Sequence, residues 1–142
     1  MTCEEEALMN SDEGASIPIA MRDVLVVDDE ADLVATYERL LRREGYRVAS
    51  AGTRAAGLAA IERERPGLLI ADLRLPDGDG LDVVRAARAL PSPPHVIVVT
   101  GFGGEASRDA ALSAGATAFL TKPFSTAAFA NLVRSILGPT SC

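Results

Sequence analysis

The chain has 142 residues, 48% hydrophobic, 24% charged and 4% aromatic, the size of one compact domain that buries about 68–70% of its unfolded surface without a disulfide or metal staple. Its 14 Lys and Arg against 20 Asp and Glu give a net charge of −6, so most of the surface repels a polyanion and direct nucleic-acid binding is not expected. No run approaches the ~18 apolar residues of a membrane span. Cys3 and Cys142 show no framework or zinc spacing, and the single His95 excludes a multi-histidine metal site within one chain, so a soluble, cytoplasmic protein is expected.

Residues 1–20 carry Glu4-Glu5-Glu6 and Asp12-Glu13-Gly14 without a sustained apolar period. They read as an acidic, disordered tail, lacking the basic start and apolar stretch of a secretory leader. Met21 opens a well-patterned segment, which leaves a second reading open, that the domain's own start lies there. Residues 21–142 are assigned to a single domain.

From Met21 the chain alternates two periods. Val24-Leu25-Val26-Val27 is a short apolar run of the kind buried on both faces of a parallel sheet. Leu33, Val34, Tyr37, Leu40 and Leu41 then form one helical stripe, with Gly45 as its C-terminal cap. The pair repeats as a strand over 46–50 and a helix over 53–65 ended by Pro66. A third strand over 68–71 stops at Asp72, followed by a loop through Gly80 and a helix over 81–90. A fourth strand covers 96–99, and a helix follows over 105–114. The last strand covers 117–121 and the last helix 124–137, with Phe129, Leu132, Val133 and Ile136 on one stripe. Five βα units in series predict an α/β, doubly wound (βα)5 domain of flavodoxin-like type. Its five-stranded parallel sheet is expected in the order 2-1-3-4-5, with ligands at the carboxyl ends of strands 1 and 3.

Those carboxyl ends are polar. Strand 1 runs into Asp28 and Asp29, strand 3 into Asp72, strand 4 into Thr100 and strand 5 into Lys122. Clustered carboxylates repel one another unless a cation is present. An all-oxygen set suits Mg²⁺, which takes one or two carboxylates together with water and phosphate oxygens. A nearby hydroxyl and ammonium are what a phosphoryl group's oxygens would bond. Taken singly, Asp28-Asp29-Glu30 reads more readily as an N-cap with first-turn acids, Asp72 as a turn residue and Lys122 as surface charge. The joint arrangement on one edge points to metal-assisted phosphoryl handling on a carboxylate.

VLVVDDE at 24–30, ADLRLPDGDG at 71–80, VVTG at 98–101 and FLTKPF at 119–124 match one family together. The segment from Met21 to about Leu137 resembles the receiver domain of two-component response regulators. The resemblance implies that Asp72 is the phosphoacceptor, taking a phosphoryl group from a histidine kinase or histidine phosphotransfer protein. It implies Mg²⁺, with Mn²⁺ as a substitute, held by Asp29, Asp72 and the backbone carbonyl of Arg74, with Asp28 acting through a bound water. Lys122 would pair first with Asp72 and then with the phosphate, and Thr100 would donate its hydroxyl to it. Lys122-Pro123 is expected to be cis, a geometry largely restricted to bonds preceding proline. Phe119 falls at the family's aromatic switch position, coupling Thr100 to the face formed by the fourth helix, fifth strand and fifth helix. Arg74 and Phe102 would flank the path of an attacking water and slow self-dephosphorylation.

The resemblance describes a switch that catalyses only its own phosphorylation and dephosphorylation. Its output would be an unknown downstream protein, a domain in the same longer chain, or a phosphorylation-dependent homodimer. Ala116-Thr117-Ala118-Phe119 lacks the paired aspartates of many winged-helix regulators, which weighs against that group and its dimer pattern. Two other readings stand beside it. A phosphorylation-independent interaction module is disfavoured by the intact Asp72 and Lys122. A small-substrate phosphohydrolase would need a general acid or base that this edge does not offer. Asp77-Gly78-Asp79-Gly80 fails as a calcium loop because Leu81 takes the next ligand position.

Overall fold

The computed structural model describes residues 23–101 and 103–138, so the 1–20 tail, both cysteines and Phe102 lie outside the described residues. Five strands form one parallel sheet: β1 (Asp23–Val27), β2 (Arg47–Ala51), β3 (Leu68–Ala71), β4 (His95–Thr100) and β5 (Ala118–Thr121). Their order is β2-β1-β3-β4-β5, as expected from the sequence. Val24 pairs with both Val48 and Leu68, Leu68 with His95, and Ile97 with Ala118. The helices are α1 (Ala31–Arg43), α2 (Arg54–Glu64), α3 (Leu81–Arg88), α4 (Glu105–Ser113) and α5 (Thr126–Leu137).

Strand side chains alternate between faces, and the two faces make two cores. Leu25, Val27, Leu69, Ala71, Val96 and Val98 pack with Ile61 of α2, Val83, Val84 and Ala87 of α3, and Ala111 of α4. Val24, Val26, Leu68, Ile70, Ile97 and Val99 pack on the other side with Tyr37 and Leu41 of α1 and with Phe129, Val133 and Leu137 of α5. Each such Leu, Ile or Val contributes about 1.5–3 kcal/mol by leaving water. Between their polar ends the central strands are therefore apolar on both faces, which is why they read as unbroken runs rather than alternations.

Several boundaries differ from the sequence reading, each for a local reason. Thr53 is the N-cap of α2 rather than its first residue, its hydroxyl accepting from the Ala56 amide at 3.0 Å. Ser125 does the same for α5 through the Ala128 amide at 3.0 Å, so that helix starts two residues later than the apolar pattern suggests. Glu44 is the C-cap of α1, and Gly45 follows it at φ 93°, a left-handed value that glycine adopts without penalty. The segment read as a plain loop before α3 holds a small antiparallel ribbon, Arg74–Leu75 against Gly78–Asp79.

Candidate functional site

The sheet's hydrogen-bond ladders run one residue past three strand ends, and this fixes the site. The Asp28 amide donates to the Ala51 carbonyl at 3.0 Å, the Asp72 amide to Val27 at 3.0 Å, and the Lys122 amide to Thr100 at 2.8 Å. Asp28, Asp72 and Lys122 thus leave the sheet at one edge with backbone positions set by the core strands beneath them.

The Lys122 ammonium spends its three donors on three carboxylates: Asp72 Oδ2 at 2.8 Å, Asp28 Oδ2 at 2.9 Å and Glu30 Oε1 at 2.8 Å. The Lys122, Asp28 and Asp72 side chains are only 13%, 2% and 8% exposed, whereas Glu30 is 59% exposed. The second oxygen of each buried acid is held by backbone. Asp28 Oδ1 accepts from the Glu30 amide at 2.9 Å, and Asp72 Oδ1 from the Arg74 amide at 3.2 Å.

Burial pushes the Asp28 carboxyl above its ordinary value, with the Glu30 amide and the Lys122 ammonium opposing the rise. For Lys122 burial favours the neutral amine, but the bonds to Asp72, Glu30 and Asp28 outweigh it and hold the group above the usual lysine value. The lysine is a fixed positive charge between two buried acids. Such an arrangement is weak evidence of stabilisation, since desolvation offsets much of the attraction.

Asp29 is exposed beside the pair, and oxygens of Asp28, Asp29 and Asp72 all lie within 4.8 Å of one another. Thr100 is fully buried at the end of β4. The Lys122–Pro123 peptide is cis. Phe124 anchors the segment after it, stacking on Tyr37 at 6.0 Å and tilting against Phe129 at 5.7 Å. A groove of about 620 Å³ opens beside the acids, lined by Glu30, Leu33, Thr36, Lys122 and Phe124 among others. Phe119 lies on β5 opposite Val98 and packs against the α2–α3–α4 core. His95 begins β4, at the sheet end away from the acids.

Gly80 is required by space rather than by backbone angle. A Cβ there would lie 1.8 Å from the Asp72 carbonyl oxygen, and the Gly80 amide donates to the Leu73 carbonyl at 2.8 Å. Two contacts of this region escape a sequence reading. Glu30 is the N-cap of α1 but makes no side-chain cap bond; its carboxylate goes to Lys122 instead. Asp77 receives the Arg54 and Ala55 amides at 2.6 and 2.9 Å, tying the loop after Asp72 to the start of α2. Arg54 Nε adds a bond to Asp82 of α3 at 2.7 Å.

The response regulator receiver domain family matches residues 24–134. The chain belongs to that family. A receiver domain is a switch of two-component phosphorelay signalling rather than an enzyme in the ordinary sense. This receiver domain is 37% identical over 102 residues to the photosynthetic apparatus regulatory protein RegA of Rhodobacter capsulatus, covering 72% of the chain and 55% of that protein. It spans about half the length of the curated relatives it matches. Among solved structures it resembles a CheY-like response regulator receiver domain protein from Methanospirillum hungatei JF-1. The TM-score there is 0.77 and the identity 32%, over 82% of this chain and 94% of that one. It also resembles the receiver domain of a sensor histidine kinase from Pseudomonas aeruginosa PAO1, described with a magnesium ion in its active site cleft. That match has a TM-score of 0.73 and 29% identity, over 84% and 99% of the two chains. Among the described residues, no helix of this receiver domain is long and apolar enough to cross a membrane.

Proposed function

We propose that residues 21–142 form a phosphoacceptor module of the cytoplasm in which Asp72 takes a phosphoryl group from a phosphohistidine on a sensor kinase or phosphotransfer protein. The observation that carries this reading is the Lys122 ammonium held 2.8 Å from the buried Asp72 carboxylate, beside a second buried acid. An Asp72 oxygen forms the bond to phosphorus as the P–N bond of the donor breaks, and the electron pair leaves with the imidazole. Lys122 then exchanges its carboxylate partner for a phosphate oxygen. The Thr100 hydroxyl supplies a further bond to the phosphoryl group.

The donor set fits a hard divalent cation: three carboxylates within one ion's reach, two of them buried and none sulfur or imidazole. Asp29, Asp72 and the Arg74 carbonyl would hold Mg²⁺, or Mn²⁺ in its place, with Asp28 acting through water. When bound, the ion offsets the charge gathering on the transferring phosphoryl oxygens. Arg74, exposed two residues after Asp72, would tune the lifetime of the acyl phosphate together with Phe102. The output would be a downstream protein, a domain in the same longer chain or a homodimer. The negative net charge argues against direct nucleic-acid contact by this module.

The test is intact mass after incubation with acetyl phosphate, with and without Mg²⁺, for the wild type and Asp72→Asn. A gain of one phosphoryl group that needs the metal and is absent in the variant is expected. An equal gain in the variant would move the acceptor elsewhere. No gain in the folded wild type, with no response to beryllofluoride, would remove the reading.

A further inference from the structure

We propose that Glu30 selects among phosphodonors by their charge, through its hold on Lys122 and its place beside the site. The proposal rests on Asp72 being the acceptor. Glu30 is the exposed member of the three carboxylates around Lys122. It leaves its own helix cap unmade to reach the ammonium, and it lines the groove that opens there. It is not one of the three acids gathered within a cation's reach, so changing it alters the field at the opening while leaving those acids in place.

Asp28, Asp29, Glu30 and Asp72 against Lys122 give the site a formal charge of −3, or −1 with a divalent cation bound. Glu30 therefore holds the opening negative when the metal is present, and its removal would bring it to neutrality. Acetyl phosphate is a dianion at neutral pH. Phosphoramidate, with a protonated nitrogen on phosphorus, carries a single net negative charge, as a phosphorylated imidazole does. A negative opening opposes the dianion more strongly. In either reaction an Asp72 oxygen forms the new bond to phosphorus as the donor's P–O or P–N bond breaks. Acetate leaves as the anion with the electron pair, and ammonia leaves with the pair on a nitrogen already protonated in the donor. Glu30 thereby favours phosphorus carried on nitrogen over phosphorus carried on an acyl oxygen.

The experiment measures second-order phosphorylation rates with acetyl phosphate and phosphoramidate, at saturating Mg²⁺, for the wild type, Glu30→Gln and Glu30→Asp. At low salt Glu30→Gln should speed acetyl phosphate roughly tenfold and phosphoramidate roughly threefold, and the difference should collapse at ~0.5 M salt. Glu30→Asp keeps the charge and should keep the wild-type ratio. A purely structural role would change both rates by one factor, insensitive to salt, and that result overturns the proposal. So does an unchanged ratio in a protein that accepts phosphate, which leaves Asp72 as acceptor intact. A wild type that takes phosphate from neither donor removes the Asp72 assignment, and this proposal with it.

Discussion

Lys122 is bonded to the carboxylates that a divalent cation would use, so ammonium and metal compete for Asp28 and Asp72. Removing the ammonium while keeping the apolar stem should raise Mg²⁺ affinity. For Lys122→Met, Mg²⁺ binding should tighten roughly three- to tenfold, the worth of one like charge at short range in a partly solvated site. Calorimetric titration, or the dependence of the thermal midpoint on Mg²⁺, measures it. Weaker binding in the variant would mean that the lysine's main task is to position the acids. At this scale Asp28, Asp72 and Lys122 were legible because each ends an apolar strand, and a strand end fixes where a residue lies. Glu30 was not. An acid at a helix start has a common local role in capping, and periodicity does not say which way an exposed side chain turns.

The loop after Asp72 is secured by an element rather than by its own turn residues. Asp77 accepts two of the free amides at the start of α2, and these bonds, Ala55 first and then Arg54, hold its carboxyl below the ordinary value. A depressed folded value means the stabilisation is fully present above the unfolded value, about 3.9, and is lost as pH falls through the folded one. Asp77→Asn should therefore be less stable than the wild type at pH 7, with the gap constant through the neutral range and closing below about pH 4. Urea unfolding midpoints of both proteins across that range measure it, and a gap that ignores pH would leave charge out of the cap. The Asp77–α2 link was invisible in the sequence because its partners lie 22 and 23 residues apart and belong to no shared period. The ribbon through Arg74 and Gly78 was missed for another reason, since two-residue strands are too short to show alternation. The longer strands and helices were readable because their apolar faces repeat.

On the scale of the whole molecule, one sheet separates two cores, and the site at its edge touches residues that reach into one of them. Val98 pairs with Phe119 and Thr100 with Thr121, so by alternation Thr100, Val98 and Phe119 share the face that carries α2, α3 and α4. Thr100 and Phe119 are thus diagonal neighbours on adjacent strands. If Asp72 takes a phosphoryl group as proposed, a shift of Thr100 toward it would open space on that face for the half-buried ring to fill. The five βα units made this sheet order legible, whereas the packing of one ring depends on contacts that no period encodes. A coupling of about 1–3 kcal/mol is the usual size of such a link. Beryllofluoride with Mg²⁺, standing in for the phosphoryl group, should change amide hydrogen exchange both around Asp28 and Asp72 and across α4, β5 and α5 in the wild type. In Phe119→Ala the change near the acids should persist while the distant one falls by roughly half or more, as expected when a coupling of that size is removed. Retention of the full distant change would exclude the ring as the link and leave the strand backbone between Thr100 and Lys122 to carry it.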